Sequence, residues 1–458
     1  MSDGQTTDGP RWRWSLLVFA FVLVAQLWLV AAAGTDIPFQ DQWDAEGRGL
    51  YPALRDGSAN CVELLRPHNE HRIAWTQLLN RTLYLINGSW DPLVQLAANA
   101  VLHAAGAALL AGLLASGASG RMRWLLGAAV ALFSLPLAGW HNALWGFQSQ
   151  VYFAVGFALA AFALLADPVR TLPRTVLGWV AVVASMLAMG PGLLVPAALA
   201  GGLALRFRDG RARWQDAAPL LLLLATAWWL HQPVAEHAAI RAQSAGQFLA
   251  ALGRLLAWPH TAQPWAALVL NLPLALLLVG RLARRRPVRA GEEPVTLLAG
   301  WALLVAVAAA WSRGGGEEFA AGVPSRYADF LLLLPLANLW SAVTLAQAAT
   351  PRTRLLTAAW ALFLLVGWVG LSAEVIRGII LPRARDRDAP VRLVREFQRT
   401  GDASVFAGQP RLLVPHPNPE AVRAVLQDPR MRGALPPSLQ PDQPMGPLSR
   451  AVRAMLGR

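Results

Sequence analysis

The chain has 458 residues, of which 55% are hydrophobic and 15% are charged, and its mean hydropathy is +0.40. In a typical soluble domain about a quarter of the residues are charged, so this composition excludes an ordinary soluble protein. It indicates that much of the chain lies in lipid. The net charge of +13 comes from arginine alone. The arginines form short clusters between apolar runs, which is typical of multispan membrane proteins and disfavours a nucleic-acid-binding role.

Apolar segments long enough to cross a bilayer recur along the chain. The first follows Arg11 and Arg13 and predicts a signal-anchor helix after a cytoplasmic N-terminus at 1–13. We predict an all-α integral membrane protein with a transmembrane domain at 14–372. Its spans, about eleven, fall at 14–33, 92–116, 124–140, 151–166, 175–190, 191–206, 216–231, 265–281, 294–311, 328–348 and 355–372, and the pair at 175–206 can also be one element broken at Gly190.

The arginine clusters predict the orientation of the spans. They occupy every second connection, so the positive-inside rule places the N-terminus in the cytoplasm and the loop 34–90 outside. With an odd number of spans, the C-terminus is also outside. The clusters are Arg11/Arg13, Arg121/Arg123, Arg170/Arg174, Arg206/Arg208/Arg211/Arg213, Arg281/Arg284/Arg285/Arg286/Arg289 and Arg352/Arg354.

The predicted outer connections are 34–90, 141–150, 231–265 and 312–327, and we expect them to meet on one face of the membrane. Within the third, 239–257 predicts an amphipathic helix at the interface. After the last span, 373–458 is proline-rich and predicts a small helical or α/β appendage on the outer face. It has an apolar stripe at 389–399, a short strand at 411–414 and a helix that starts at Asn418.

The long first loop carries three acids directly after the first span. A carboxylate of Asp36, Asp41 or Asp44 at the membrane surface can accept a proton from a hydroxyl or help to hold a cation. The alternative for each acid is a solvated loop residue or a helix N-cap. Three acids around Trp43, in a loop much longer than a connection needs, favour a functional site.

A second polar cluster in the same loop runs from His68 through Asn69, Glu70 and His71 to Arg72. Pro67 before it predicts a helix that presents the histidines and Arg72 on one face, suited to a phosphate or a sugar hydroxyl. The alternative is an interfacial helix with a polar outer face. The spacing differs from the HExxH motif of zinc proteases, so the sequence does not define a metal site. No cofactor is predicted, although these residue types could bind a divalent cation.

Two further segments hold candidate binding residues. From Trp140 to Gln150, the amides of Asn142, Gln148 and Gln150 stand beside Trp145, as in sites that hold sugars, and a helix would put His141, Trp145, Gln148 and Tyr152 on one face. At the mouth of a later span, Arg326 can pair with a lipid phosphate, next to Tyr327. The alternatives are an ordinary aromatic belt and a snorkelling arginine. His103, inside the second span, is an ionisable candidate whose alternative is a packed, hydrogen-bonded histidine.

These segments resemble a group of bacterial membrane proteins assigned to the GT-C superfamily of polytopic glycosyltransferases. The order of features over residues 14–372 is similar: a first span, a large outer loop with acids, many further spans and then a soluble outer region. The local resemblance lies in Phe39–Asp44, His68–Arg72, Asn142–Gln150 and Ser325–Tyr327, and the Asp-Glu dipeptide of some members is absent here.

The resemblance implies an inverting glycosyltransferase in the bacterial inner membrane that uses a polyprenyl-phosphate-linked sugar as donor. The catalytic base would be Asp41 or Asp44, with Asp36 third, and the acceptor would be a glycan, lipid or protein of the cell envelope. From charge alone, Arg72 or Arg326 would stabilise the leaving phosphate. Two other interpretations stay open: a transporter or flippase for a lipid-linked glycan, and a non-catalytic partner that binds one. A multispan acyltransferase would also suit the histidines.

Overall fold

The structure, a computed structural model, describes residues 12–118, 120–166, 171–283, 288–347 and 350–458, and about 75% of it is helical. The first α-helices in chain order are α1 Trp12–Ala33, α2 Tyr51–Arg55, α3 Ala74–Asn87, α4 Pro92–Ala115, α5 Gly120–Phe133, α6 Trp140–Ala143, α7 Ser149–Leu165, α8 Leu172–Met186, α9 Val195–Arg208, α10 Ala217–Leu230 and α11 Ala245–Leu256. The remaining ones are α12 Ala266–Leu282, α13 Glu292–Arg313, α14 Glu317–Ala321, α15 Ala328–Leu331, α16 Leu333–Gln347, α17 Pro351–Val375, α18 Leu381–Arg385, α19 Ala389–Thr400, α20 Pro419–Gln427 and α21 Pro447–Leu456. Two short strands, β1 Pro67–His68 and β2 His71–Arg72, form a hairpin in the first loop.

Seven helices in the described part of the chain are long and apolar enough to cross a membrane, which indicates a membrane protein. The predicted count of eleven spans is not confirmed. The segments predicted as spans at 124–140, 175–190, 216–231 and 265–281 correspond to α5, α8, α10 and α12, which have only 14, 15, 14 and 17 residues. The seven are Arg13–Ala33, Pro92–Ala115, Gly146–Leu165, Gly190–Arg208, Glu292–Arg313, Ser325–Gln347 and Pro351–Arg385.

The segment Ser325–Gln347 lies at the centre of the bundle, because 89% of its apolar stretch is buried. It packs against α12 and α13, while α4 packs against α1 and α7 on the other side. Helix α4 begins with a good cap, because the Asp91 side chain accepts from the Leu93 amide and Pro92 takes the first helical position.

An ionisable pair is buried between these helices. Nε2 of His103 in α4 lies 3.4 Å from Oδ1 of Asp329, and Nδ1 of the same ring lies 2.5 Å from Oε1 of Gln26. The Gln26 side chain also reaches the Tyr152 hydroxyl, at 3.5 Å. His103 is therefore packed and hydrogen-bonded, and its partner is a carboxylate that the sequence analysis did not single out.

The region after the last span is helical and packs against the first loop. Its apolar residues, including Phe397, Val422 and Met431, share a buried core with Trp43 and Trp90. The apolar stripe at 389–399 lies on α19. The helix predicted to start at Asn418 is confirmed as α20, and the Asn418 side chain accepts from the Glu420 amide at 3.0 Å. The predicted strand at 411–414 is wrong, because these residues form turns.

One arginine near the C-terminus joins this region to the first loop. Arg453 of α21 pairs with Asp36, at 2.9 Å between Nη2 and Oδ2, and also with Asp91. Both carboxylates are buried. Asp36 also accepts from the Ser438 amide, and Asp91 from the Ser449 hydroxyl. The first loop and the C-terminal region thus lie on one side of the bundle.

We expect Arg453→Gln to destabilise the fold strongly, because two buried carboxylates would lose their common cation. Breaking a buried ion pair by removing one partner costs about 3–5 kcal/mol. The measurement is thermal unfolding in detergent, followed by tryptophan fluorescence. Arg450→Gln on the same helix is the control, since its guanidinium only donates to the exposed Met445 carbonyl. Equal melting of the two variants would contradict the role given to Arg453.

Candidate functional site

A buried carboxylate, that of Glu46, organises the first loop. Its Oε2 accepts hydrogen bonds from Gln95 Nε2 at 2.7 Å and from the Tyr51 hydroxyl at 3.3 Å. Its Oε1 accepts from Asn80 Nδ2 at 3.0 Å. These donors belong to three helical elements, so the carboxylate ties the π-helical segment Gln42–Leu50 to α2, α3 and α4. Burial raises the pKa of Glu46 to about 7, although the hydrogen bonds from Gln95 and its neighbours oppose this shift.

Gln42 connects this network to the acidic turn before it. Its Nε2 donates to Gln95 Oε1 at 2.7 Å, and its Oε1 accepts from the Phe39 amide at 3.1 Å. Gln40 has a φ of +51°, so its backbone is in the left-handed region, which few residues other than glycine adopt. Gln42 is buried, whereas the residue before it, Asp41, lines a cavity.

The cavity has a volume of about 680 Å³, within the range of roughly 300–1,000 Å³ that small-ligand pockets occupy. Residues of all four connections that were predicted to meet contribute to its wall. Of the predicted site residues, those that line it are Asp41, His68, Asn69, Glu70, His71, Trp145, Gln148, Gln150, Arg326 and Tyr327.

Of the three acids that directly follow the first span, Asp41 is the one that lines this cavity. Its Oδ2 lies 4.0 Å from Nε2 of His68, and that nitrogen is buried without a hydrogen-bond partner in the described structure. Burial raises the pKa of Asp41, an effect that electrostatic interactions with His68, His416 and Arg326 oppose. A carboxylate with a raised pKa at a cavity wall is suited to accepting a proton.

The other two predicted acids lie outside the cavity lining. Asp44 is hydrogen-bonded to His416, at 3.0 Å between Oδ2 and Nε2, and this bond lowers the pKa of Asp44. Asp36 is in the buried ion pair with Arg453. Asp36 therefore stabilises the fold, and Asp44 is held by a residue of the C-terminal region.

The helix predicted to start at Pro67 is wrong. The segment is the antiparallel hairpin of β1 and β2, in which His68 is paired with His71. Asn69 at its turn has a φ of +52°, which interrupts a right-handed helix and which asparagine tolerates better than most residues. The hairpin brings both histidines to the cavity. Arg72 does not line the cavity, and its Nη1 donates to the Leu65 carbonyl at 2.5 Å.

Glu70, at the tip of the hairpin, contacts residues from two other connections, Arg313 and His237. It forms an ion pair with Arg313 and lies 2.9 Å, through Oε2, from Nδ1 of His237. His71 beside it accepts a hydrogen bond from the Gly190 amide on Nδ1, at 3.3 Å. Burial lowers the pKa of His71, so its ring is neutral at pH 7, in agreement with its role as acceptor.

The segment 140–150 is not one helix, since α6 ends at Ala143 and a turn of 3₁₀-helix occupies Gly146–Gln148. Asn142 is buried outside the cavity lining, where it donates to Asp329 Oδ2 at 2.6 Å and to the Arg326 carbonyl at 3.0 Å. Gly146 packs directly on the Glu46 network, because a Cβ there would be 2.5 Å from Gln95 Oε1. The interrupted helix thereby fixes the following residues against the acidic loop.

Three residues of this segment that line the cavity each have one polar atom buried without a hydrogen-bond partner in the described structure: Nε1 of Trp145, Oε1 of Gln148 and Oε1 of Gln150. Their residues are 7%, 3% and 4% exposed and all line the cavity. Buried polar groups are normally hydrogen-bonded, so these atoms indicate a polar ligand or ordered water in the cavity.

Arg326 stands near Asp41 and shares a carboxylate with the C-terminal region. Its Nη2 lies 2.7 Å from Oε2 of Glu318, and Oε1 of Glu318 lies 3.3 Å from Nη2 of Arg411. The Arg326 guanidinium is also 5.3 Å from the ring centre of Tyr327. Both residues of the predicted Arg326–Tyr327 pair are thus held at the cavity wall.

Sequence reasoning missed four ionisable residues of the cavity wall: His231, His237, Arg241 and Arg313. They lie just beyond the ends of α10 and in or near α13, in connections where no motif singled them out. The Arg241 guanidinium has no ion-pair partner among the described residues. It follows a short 3₁₀-helix, and the predicted amphipathic helix at 239–257 is shorter than expected, namely α11.

One part of the cavity wall is apolar. Leucines and alanines of α10 and α13 line it, together with Trp228 and Trp311. These two tryptophans are 82% and 58% exposed on the outside of the bundle. The cavity therefore combines a polar end at Asp41 with an apolar side that reaches the surface where lipid would lie.

In the described residues, no group of three or more histidine, cysteine, aspartate or glutamate side chains is arranged to hold a metal ion. The chain matches no protein-family model, no curated protein and no solved structure. The site is therefore interpreted from its own geometry.

We expect Glu46→Gln to change how stability depends on pH. The pKa of Glu46 rises from 4.5 to about 7 on folding, so its contribution is most favourable below pH 4.5 and is lost as pH rises to 7. The loss is on the order of 3 kcal/mol. The free energy of unfolding of the parent, minus that of Glu46→Gln, should fall between pH 5 and 7.5. Glu396→Gln, an exposed control, should show no such trend, and parallel curves for Glu46→Gln would contradict the shift.

Proposed function

We propose that the protein is an inverting membrane glycosyltransferase, which moves a sugar from a polyprenyl-phosphate carrier to an acceptor on the outer face of the bacterial plasma membrane, in envelope glycan assembly. The observation that carries this proposal is the composition of the cavity wall. One cavity is lined by Asp41, by three arginines, by unpartnered amide oxygens and by an apolar side. A donor with a sugar, a phosphate and a lipid tail needs each of these surfaces.

Asp41 is the proposed general base. The acceptor hydroxyl oxygen attacks the anomeric carbon while Asp41 takes its proton, and a new glycosidic bond forms with inversion. The bond between the anomeric carbon and the phosphate oxygen breaks, and polyprenyl phosphate leaves with the electron pair. The raised pKa of Asp41 favours this role, because a stronger base at the cavity wall accepts a proton more readily.

The leaving phosphate would be bound by arginines. Arg313 and Arg326 line the cavity but are each paired with a glutamate, Glu70 and Glu318. Arg241 has no ion-pair partner in the described structure, so it is the cation most ready to bind a phosphate. Arg72, the other arginine predicted for this role, lies outside the cavity lining.

The sugar would be held by the segment Trp145–Gln150. The Gln148 and Gln150 oxygens can accept hydrogen bonds from sugar hydroxyls, and the Trp145 indole can donate one. The ring of Trp145 stacks with His141 at 5.0 Å between centres, which fixes its plane. The lipid tail would follow the apolar side towards Trp228 and Trp311.

A second candidate function is transport or flipping of a lipid-linked glycan, and one observation favours it. A transporter is expected to carry ionisable groups within the membrane, and His103 and Asp329 form such a pair between α4 and the segment Ser325–Gln347. Asp41→Asn separates the two functions, because a transporter does not need this carboxylate as a chemical base.

We expect Asp41→Asn to lower turnover at least a hundredfold, because an amide cannot accept the proton, and general-base catalysis contributes typically 10²–10⁴-fold. The measurement is release of polyprenyl phosphate by the purified protein in nanodiscs, supplied with a panel of polyprenyl-phosphate sugars and envelope glycan acceptors. Asp442→Asn, at an exposed position, is the control for the loss of one negative charge and for differences between protein preparations.

Loss of release in Asp41→Asn with unchanged folding supports the transferase. Donor binding without turnover in the parent, unchanged by Asp41→Asn, would replace it with the transport or binding function. With the protein reconstituted in sealed liposomes, movement of a labelled donor across the membrane then identifies transport. Loss of this movement in Asp329→Asn would point to the intramembrane pair.

We expect Arg241→Gln to weaken binding of polyprenyl phosphate about tenfold or more, since a hydrogen bond to a charged group contributes roughly 1.5–3 kcal/mol. The measurement is a direct binding titration with short-chain polyprenyl phosphate in detergent. Arg352→Gln, exposed at the start of α17, is the matched loss of one charge. Equal weakening in both variants would mean that net charge rather than Arg241 attracts the ligand.

A further inference from the structure

One segment of the C-terminal region, 410–418, contacts the candidate site at two places, the turn before Asp41 and Glu318. The Pro415 carbonyl accepts from the Gln40 amide at 2.7 Å, next to Asp41. Arg411 reaches Glu318, the partner of Arg326. A region that the sequence marked only as an appendage thus contacts the acidic turn directly.

His416 is the residue of this segment that meets the acids. Its Nε2 lies 3.0 Å from Oδ2 of Asp44, and its Nδ1 lies 2.9 Å from the Asn418 carbonyl and 3.1 Å from the Asn418 amide. Asn418 is in turn the N-cap of α20. His416 is 9% exposed, and its contacts with Asn418 hold the imidazole at the beginning of α20.

Helix α20 is itself seated on the acidic loop. A Cβ at Gly47 would lie 2.9 Å from Cγ2 of Val425, so only glycine allows this approach. Val422 and Val425 are fully buried in the core that α20 shares with Trp43 and Trp90. The packing fixes the distance between His416 and the loop, and the contact with Asp44 is part of the fold.

Electrostatics make this contact relevant to Asp41. Asp44 is three residues away, and its negative charge raises the pKa of Asp41, while His416, His68 and Arg326 lower it. His416 lowers the pKa of Asp44, as Arg48 does more weakly. Burial lowers the pKa of His416, but the hydrogen bonds to Asp44 and Asn418 outweigh this and raise it. The contact at 3.0 Å therefore favours the charged form of both the imidazole and Asp44.

We propose that His416 is a positioning residue of the active site, which binds Asp44 through Nε2 and neutralises it, so that Asp41 is left as the ionised base at the cavity. The inference rests on the proposed function for the meaning of Asp41 as a base. It also assigns a role to the C-terminal region: this region completes the site by supplying the imidazole.

The test measures the ionisation of Asp41 without any turnover. A carbodiimide reacts with protonated carboxyl groups, and an added amine traps the product as an amide that mass spectrometry locates. The extent of labelling of Asp41 in the full-length protein, followed against pH, gives the midpoint of its titration. A failure of the transferase assay leaves this measurement intact.

His416→Ala should move the midpoint for Asp41 upward by about half to one pH unit, because Asp44 would keep an uncompensated charge. The double variant His416→Ala/Asp44→Asn should return it to the parent value or below, since both the charge and its partner are gone. His416→Gln, which retains a donor, should shift the midpoint less than His416→Ala. Glu396→Gln, in α19 of the same region, should leave it unchanged.

An unchanged midpoint in His416→Ala would overturn the proposal, and so would a shift that Asp44→Asn does not reverse, because His416 would then act on the fold alone. Where His416→Ala does not fold, Asp44→Asn by itself decides: it should lower the midpoint, and an unchanged value would refute the coupling. With turnover established, the acid limb of the rate profile should move in the same directions.

Discussion

The structure depends on one buried carboxylate. Glu46 accepts hydrogen bonds from α3, α4 and the Tyr51 hydroxyl, and through Gln42 the same network shapes the turn that carries Asp41. Gly146 packs on Gln95 from the other side. An acid in this position is costly to bury, so its donors must all be in place. That requirement explains why the acidic loop and the segment after Gly146 have a fixed relation across the cavity.

The C-terminal region is part of the same unit. Arg453 satisfies two buried carboxylates, α20 packs on the acidic loop, and His416 reaches Asp44. Each contact joins residues more than 350 positions apart in the chain, so the C-terminal region and the first loop can only reach this arrangement together. The helices set the loops in place, and the C-terminal region closes them around the acids.

Several features could be predicted from the sequence because local rules govern them. The apolar runs predicted helices, and the Asn418 cap predicted the start of α20. The predicted helix at Pro67 failed because a left-handed Asn69 overrides the proline signal. The count of spans was not confirmed, since hydropathy does not decide where α5, α8, α10 and α12 end. Arg241, Arg313 and His237 carried no local signal, because their importance comes from which residues face them.

The class of protein, a helical membrane protein with a polar first loop, can be read from the residues alone, because lipid demands long apolar helices and an excess of ionisable residues in one loop stands out against them. The acids, histidines and amides available to a site can be read in the same way. Which acid faces the cavity depends on the folded chain, since Asp36, Asp41 and Asp44 have similar surroundings along the sequence. Arg453 and His416 bind two of them from the far end of the sequence, and partners at that separation are chosen by packing.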